Sequence, residues 1–234
     1  MKRRDLNMKK RTFSTELAYI VGLSVLAFSA ALMEASDFGV SMIVAPAYLL
    51  YLKLSQYFSF FTFGMAEYTL QAVLLIIMII VLRRFKLYYL FSFITAVLYG
   101  FLLDGSMAIV ALFGVNGIAG RLVCFFIGVI CCAVGVSLLF HTYIAPEVYE
   151  LFVKEIAAKY GKNINKVKTV YDCVSCVIAV CMSFLFFGLW HFEGVKLGTV
   201  FCALVNGTLI GFISGRLEKR FEFKDSTKLR KYFE

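Results

Sequence analysis

Long apolar runs alternate with short polar segments along this chain, and the polar segments are mostly basic. Runs of about 20 apolar residues fall at roughly 13–33, 64–82, 87–103, 118–140, 170–190 and 197–213. Each matches the length a helix needs to cross a bilayer. Two shorter stretches, 40–60 and 144–160, are left over. They are too polar or too interrupted to span alone, yet long enough for short helices. The pattern predicts an all-α polytopic membrane protein with six transmembrane helices.

The chain has 2 prolines, and they occupy matching places. Pro46 and Pro146 each follow an apolar run, each sits in an Ala-Pro dipeptide, and each precedes an amphipathic stretch and two further runs. The order therefore reads as two copies of one unit: span, short helix, span, span. An odd number of spans per copy makes the copies face opposite ways, an inverted repeat as found in many transporters. The expected organisation is a basic N-terminus at 1–11, a first three-span repeat at 12–110, a connector at 111–117, a second repeat at 118–215 and a basic tail at 216–234.

Composition agrees with lipid as part of the solvent. Hydrophobic residues are 61% of the chain and charged residues 17%, against about 45–50% and about 25% in soluble domains. The net charge of +9 does not point to nucleic acid, because the charges lie between apolar runs. Segments 1–11, 83–86, 154–168 and 216–231 hold all of the 24 basic residues except Lys53, Arg121 and Lys196. Basic residues collect in cytoplasmic loops, so both termini are expected in the cytoplasm and the protein in the cell (cytoplasmic or inner) membrane. Residues 1–35 loosely resemble a secretory signal, with Ser29-Ala30-Ala31 near a cleavage position. Removal would break the repeat, so this segment reads as a retained anchor. All 7 cysteines fall inside expected spans and read as small buried hydrophobes. Cys173 and Cys176 have redox or metal spacing, but no second pair accompanies them.

The blocks Gly194-Val195-Lys196-Leu197-Gly198-Thr199 and Ala203-Leu204-Val205-Asn206-Gly207-Thr208-Leu209-Ile210-Gly211 form a glycine-rich last span. Pro146-Glu147-Val148-Tyr149-Glu150-Leu151 and Lys168-Thr169-Val170-Tyr171-Asp172 give an amphipathic helix and an acidic start to the fifth span. Gly39-Val40-Ser41 and Gly100-Phe101-Leu102-Leu103-Asp104 are first-half counterparts. Together these blocks resemble the YitT/YczE family of bacterial integral membrane proteins, over nearly the whole chain. The resemblance implies the fold rather than an activity, since that family's function is largely undefined. A glycine-rich tract expected before the third span is replaced by Leu87-Tyr88-Tyr89-Leu90-Phe91.

Five residues are candidate substrate-binding positions: Pro46, Glu67, Asp104, Asp172 and Asn206. Pro46 suits a first helical turn. It opens either a half-helix aimed at the interior, whose positive end would meet an anionic or polar ligand, or an interfacial helix with Tyr48, Tyr51 and Tyr57 in the headgroup belt. Glu147, Glu150, Lys154, Glu155 and Lys159 make the Pro146 helix read as one lying on the cytoplasmic surface. Acidic residues near spans are costly. Glu67, Asp104 and Asp172 read as structural ion-pair partners, with Arg121 for Glu67 or Asp104, or as proton or cation coupling groups through Glu67 and Asp172. Asn206 falls near mid-span and reads either as a tie between helices or as part of a pathway. Ala203, Gly207, Gly211 and Gly215 form a small-residue ridge for close helix approach. His141 and His191 lie near span ends on opposite faces. No nucleophile elbow, P-loop or metal motif occurs, so neither enzymatic activity nor a cofactor is expected.

Three functions fit this pattern. The first is a small secondary transporter or permease with a polar site between the repeats. The second is a substrate-binding membrane subunit of a multi-component transporter. The third is a non-transporting membrane scaffold or regulator. The expected partners are the lipid bilayer and an unknown small molecule or ion, not nucleic acid, with a homo-oligomer or a partner membrane subunit left open.

Overall fold

A computed structural model describes residues 11–115, 117–189, 192–226 and Arg230. His191 and most of the basic terminal residues lie outside the described residues. Among those described, the element order is β1 (Arg11–Ser14), α1 (Thr15–Ser36), α2 (Ala45–Leu54), α3 (Phe63–Leu82), α4 (Tyr88–Phe113), α5 (Gly117–Phe140), α6 (Val148–Tyr160), α7 (Ile164–Phe187), α8 (Leu197–Arg220) and β2 (Phe221–Lys224). Helices α1, α3, α4, α5, α7 and α8 are long and apolar enough to cross a membrane. At about 1.5 Å per residue the shortest, 20 residues, covers about 30 Å, the thickness of a hydrocarbon core.

Local chemistry sets several helix ends. Ser14 caps α1 by accepting from the Leu17 N–H. Thr62 caps α3 by accepting from the Met65 N–H. Asn163 caps α7 by accepting from the N–H groups of Asn165 and Lys166. Gly161, with φ of 59°, closes α6 in the left-handed conformation that glycine adopts without strain.

Three long helices outrun their apolar runs. Helix α4 continues past Asp104 to Phe113, α7 begins at Ile164 rather than 170, and α8 continues to Arg220. A helix need not end where its apolar stretch does, because its ends are satisfied by caps or water. The chain ends also carry a pairing that the apolar runs do not predict. Strands β1 and β2 pair in parallel, Arg11 opposite Phe221 through Ser14 opposite Lys224, and so hold both ends on one face. We call this the terminal face, and the other the distal face.

Helices α1 and α5 form the central pair. They approach closely at glycines: a Cβ on Gly22 would lie 3.1 Å from the Gly135 carbonyl oxygen, and one on Gly135 2.9 Å from the Gly22 oxygen. Helix α4 packs on α1, and α8 on α5. Helix α3 packs on α4, and α7 on α8. The short helices cross over: α2 packs on α3 and α7, α6 on α7 and α3. Exchanging α1–α4 with α5–α8 maps each of these contacts onto another. The outward faces of α3, α4, α5 and α7 are apolar and exposed, as at Ile76, Ile80, Phe101, Ile127, Val174 and Val177. That is the surface a bilayer covers.

The short helices lie inside the bundle rather than on its surface. The chain dips from Asp37 at the distal face to Val44, and α2 then climbs back, its Lys53 ammonium donating to the Phe186 carbonyl at the end of α7. From the terminal face the chain dips again through 141–147. Ser92 and Thr95 of α4 hold this loop by donating to the carbonyls of Pro146 and Ala145. Helix α6 then returns to the terminal face, where Glu155 pairs with Lys86 at 3.0 Å. The expectation of a surface-lying α6 is corrected: Glu147 and Glu150 are each 2% exposed. The interior alternative for the Pro46 segment is the one the packing supports, since Pro46 lies in the first turn of α2 and is buried.

Candidate functional site

The two dips meet at one small cavity. Its wall includes Ser29 of α1, Ser41 and Val44 before α2, Tyr99 of α4, Cys132 of α5, Glu147 and Glu150 at the start of α6, Lys168 of α7 and Asn206 of α8. The space open to the centre of a water molecule is about 20 Å³, room for one small species. Residues from α1, α4, α5, α7 and α8 and both dips thus converge at one depth. Asn206 lies nine residues into α8, about 14 Å from its start at 1.5 Å per residue, near the middle of a span.

Polar groups around the cavity form two linked sets. Gln71 of α3 donates to Glu147 at 3.1 Å and accepts from the Val148 N–H at 3.0 Å. One side chain therefore caps the first turn of α6 and fixes its first carboxylate. Beside it, the Tyr149 hydroxyl donates to Glu67 at 3.0 Å. In the second set, Lys168 donates to Glu150 at 3.1 Å. Its ammonium also lies 3.2 Å from Asp172, one turn further along α7, as an ion pair without hydrogen-bond alignment. Lys168 is 2% exposed, and Glu67 and Asp172 are 0% exposed.

The charge balance is uneven. Four buried carboxyl groups, Glu67, Glu147, Glu150 and Asp172, surround one buried ammonium, Lys168. Hydrogen bonding is uneven in the same direction. Among the described residues, the buried side-chain polar atoms without a partner are all oxygens: one each on Glu67, Glu147, Glu150 and Asn206, and both on Asp172. Buried polar groups are normally satisfied, and an unpaired charge in a low-dielectric interior is costly. This centre has a surplus of acceptors and negative charge, and among the described residues no buried side-chain nitrogen lacks a partner.

Residues 13–215 match a family described as "Family of unknown function (DUF6198)". The chain belongs to DUF6198. No curated protein and no solved structure matches it. The match spans all eight helices except the last turn and a half of α8, so the whole cavity lies within the DUF6198 region.

The five expected site residues distribute unevenly in this DUF6198 chain. Asn206 lies on the cavity wall, donating to the Cys132 sulfur at 3.4 Å with its oxygen unpartnered. It both ties α8 to α5 and faces the cavity. Glu67 and Asp172 stand one contact behind the wall, through Tyr149 and Lys168. Pro46 opens α2 just beyond wall residues Ile43 and Val44. Asp104 lies apart, at the distal end of α3, where it accepts from the Thr62 hydroxyl at 2.8 Å and the Gly64 N–H at 2.9 Å. Arg121 pairs with Asp37, not with Glu67 or Asp104. His141 bridges the Ser137 carbonyl and Glu218, away from the cavity.

Sequence reasoning missed Glu147, Glu150, Lys168, Gln71 and Tyr149 as site residues. One signal was available: Glu147 directly follows the only proline of the second half, at the start of a helix whose counterpart is wholly apolar there.

Proposed function

We propose that this protein is a small membrane transporter or permease, with its substrate site in the cavity between α1–α4 and α5–α8. One observation carries the reading: two short helices enter from opposite faces, and both begin at a buried polar cavity. In transporters, half-helices of this kind build the midplane site, and rocking of one half against the other opens it to each side in turn. The symmetric contacts support 12–110 and 118–215 as the two moving units. The distribution of Lys and Arg supports cytoplasmic termini and the cell membrane. The resemblance to the YitT/YczE family belongs to this proposal too, since Pro146–Leu151 and Lys168–Asp172 supply Glu147, Glu150, Lys168 and Asp172.

The test is two-sided access. A single cysteine replaces Ser41 on the cavity wall, in a background lacking the native cysteines. A membrane-impermeant thiol reagent is then applied to right-side-out and to inside-out vesicles. A transporter site is labelled from both sides, and more slowly than an exposed control at Asp37→Cys. A closed scaffold is labelled from neither.

A further inference from the structure

We propose that the central cavity binds a small monovalent cation in competition with protons, so that the solute moved or the ion coupled to it is cationic. The inference deepens the transport reading and uses the same cavity.

The donor and acceptor balance decides the ligand class. Every unpartnered buried side-chain atom at this centre is an oxygen. An anion or a hydrogen-bond acceptor would add to the surplus. A cation or a proton removes it. The acidic cluster does not stand alone as the basis: Asn206, a neutral side chain from α8 that is 2% exposed, brings its own unpartnered oxygen to the same wall. Its contact to Cys132 fixes the amide's nitrogen elsewhere.

Size and ligand geometry narrow the class. The cavity holds one species of about the size of a water molecule. Among the described residues, no group of three His, Cys, Asp or Glu side chains converges closely enough to hold a metal ion. Transition metals and tightly held divalent ions need such convergent sets. Sodium, potassium and ammonium ions do not.

The competition with protons follows from the neighbouring charges. Glu147 and Glu150 line the cavity and Glu67 stands behind Tyr149. Among the described residues Lys168 is the one buried cation, and Asp172 shares it with Glu150. Lys154 of α6, half-buried, and Tyr171 of α7 face Glu150, Cys202 of α8 faces Asp172, and Tyr19 of α1, Tyr99 of α4 and Cys132 of α5 lie beside the same carboxyl groups; the tyrosines and cysteines are neutral in their ordinary state at neutral pH. Like carboxylates sharing a buried site do not all stay ionised. Either a proton or a cation neutralises them, and arrival of the cation releases the proton to water. Binding at a site that opens to each side in turn would then exchange one for the other across the membrane.

The experiment uses the full chain purified in detergent. Its thermal unfolding midpoint is measured in sodium, potassium and ammonium chloride against choline chloride at equal ionic strength, at pH values from acid to alkaline. At least one small cation is expected to raise the midpoint by about 5–10 °C when present at a hundredfold its dissociation constant. The rise should shrink as the pH falls, and addition of the cation to weakly buffered protein should release close to one proton per chain. Glu147→Gln and Asn206→Ala should each remove the rise, while Glu155→Gln at the terminal face should keep it. If one of the two cavity variants fails to fold, the other and the proton release decide. Equal midpoints in choline and in all three small cations would overturn the proposal, as would a rise indifferent to both pH and the cavity substitutions. Cation binding without flux through vesicles would remove the transport reading and leave this site. Flux of a solute without cation binding would do the reverse.

Discussion

Replacing Lys168 by methionine is the sharpest perturbation of the polar centre. The ammonium lies 3.1 Å from Glu150 and 3.2 Å from Asp172, and all three groups are at most 2% exposed. Methionine keeps much of the side chain's volume, so packing changes little. What changes is charge: two buried carboxylates lose their counterion. Removing one partner of a buried pair typically costs about 3–5 kcal/mol, because the other charge stays buried. For a chain of this size each kcal/mol moves the midpoint by about 2–4 °C, so Lys168→Met should lower it by about 6–20 °C. A thiol-reactive dye that reports exposure of the buried Cys132, Cys176 and Cys202 reads this directly. The pH dependence has a definite sign. Without the lysine, two carboxyl groups stay buried with no counterion, and burial without a counterion disfavours the charged form. The folded state then binds more protons, so the variant's stability falls as the pH rises above the ordinary carboxylate range of about 4. The deficit against wild type should widen from acid to neutral pH. Adding Glu150→Gln should restore part of the loss. A midpoint within about 2 °C of wild type at neutral pH, or a deficit independent of pH, would refute the reasoning.

Other substitutions probe the packing and the second hydrogen-bonded set. Gly207→Leu and Gly211→Leu should destabilise more than Asn206→Ala, because a Cβ at Gly207 overlaps the Thr169 hydroxyl and one at Gly211 lies 2.5 Å from the Asn165 side chain. Gly215→Leu should be nearly neutral, since nothing lies within 4 Å of its Cβ position. Thermal unfolding of the four variants checks the order. Tyr149→Phe removes the hydroxyl that Glu67 accepts from and should cost about 1–3 kcal/mol, the range for leaving a buried polar group without its partner, read from the same midpoint shifts. Deleting residues 221–234 removes the partner of β1 and should raise proteolysis at the N-terminal segment while the six-helix bundle stays folded.

The spans were legible in the sequence because a bilayer imposes a length on apolar runs, and the runs have it. The two prolines marked both short helices: Pro46 lies in the first turn of α2, where proline is favoured, and Pro146 stands just before the N-cap of α6. The mid-span depth of Asn206 was legible from its distance along the last apolar run. The acidic half of the centre was not. Glu147, Glu150 and Glu155 read as a solvated face, yet Glu147 and Glu150 are carried inside by Gln71, Ser92 and Thr95, residues 50 to 77 positions away. No periodicity within α6 encodes contacts of that range. Asp104 reads from the sequence as a structural partner or a site residue; in the fold it is held at the distal end of α3, by Thr62 and by Gly64, 40 residues earlier in the chain. The pairing of β1 with β2, four residues each across more than two hundred positions, left no local trace either.

Flux through the central site is the claim on which the rest depends, and exchange across sealed vesicles tests it most directly. The purified protein is reconstituted with a pH-sensitive dye inside, and a gradient of sodium, potassium or ammonium chloride is imposed with choline as balance, after the membrane potential has been clamped. The account predicts an internal pH change that requires the protein, follows the direction of one cation's gradient, and disappears in Glu147→Gln while persisting in Glu155→Gln. Vesicles whose internal pH tracks empty liposomes under every gradient, although the reconstituted protein binds the cation, would contradict it.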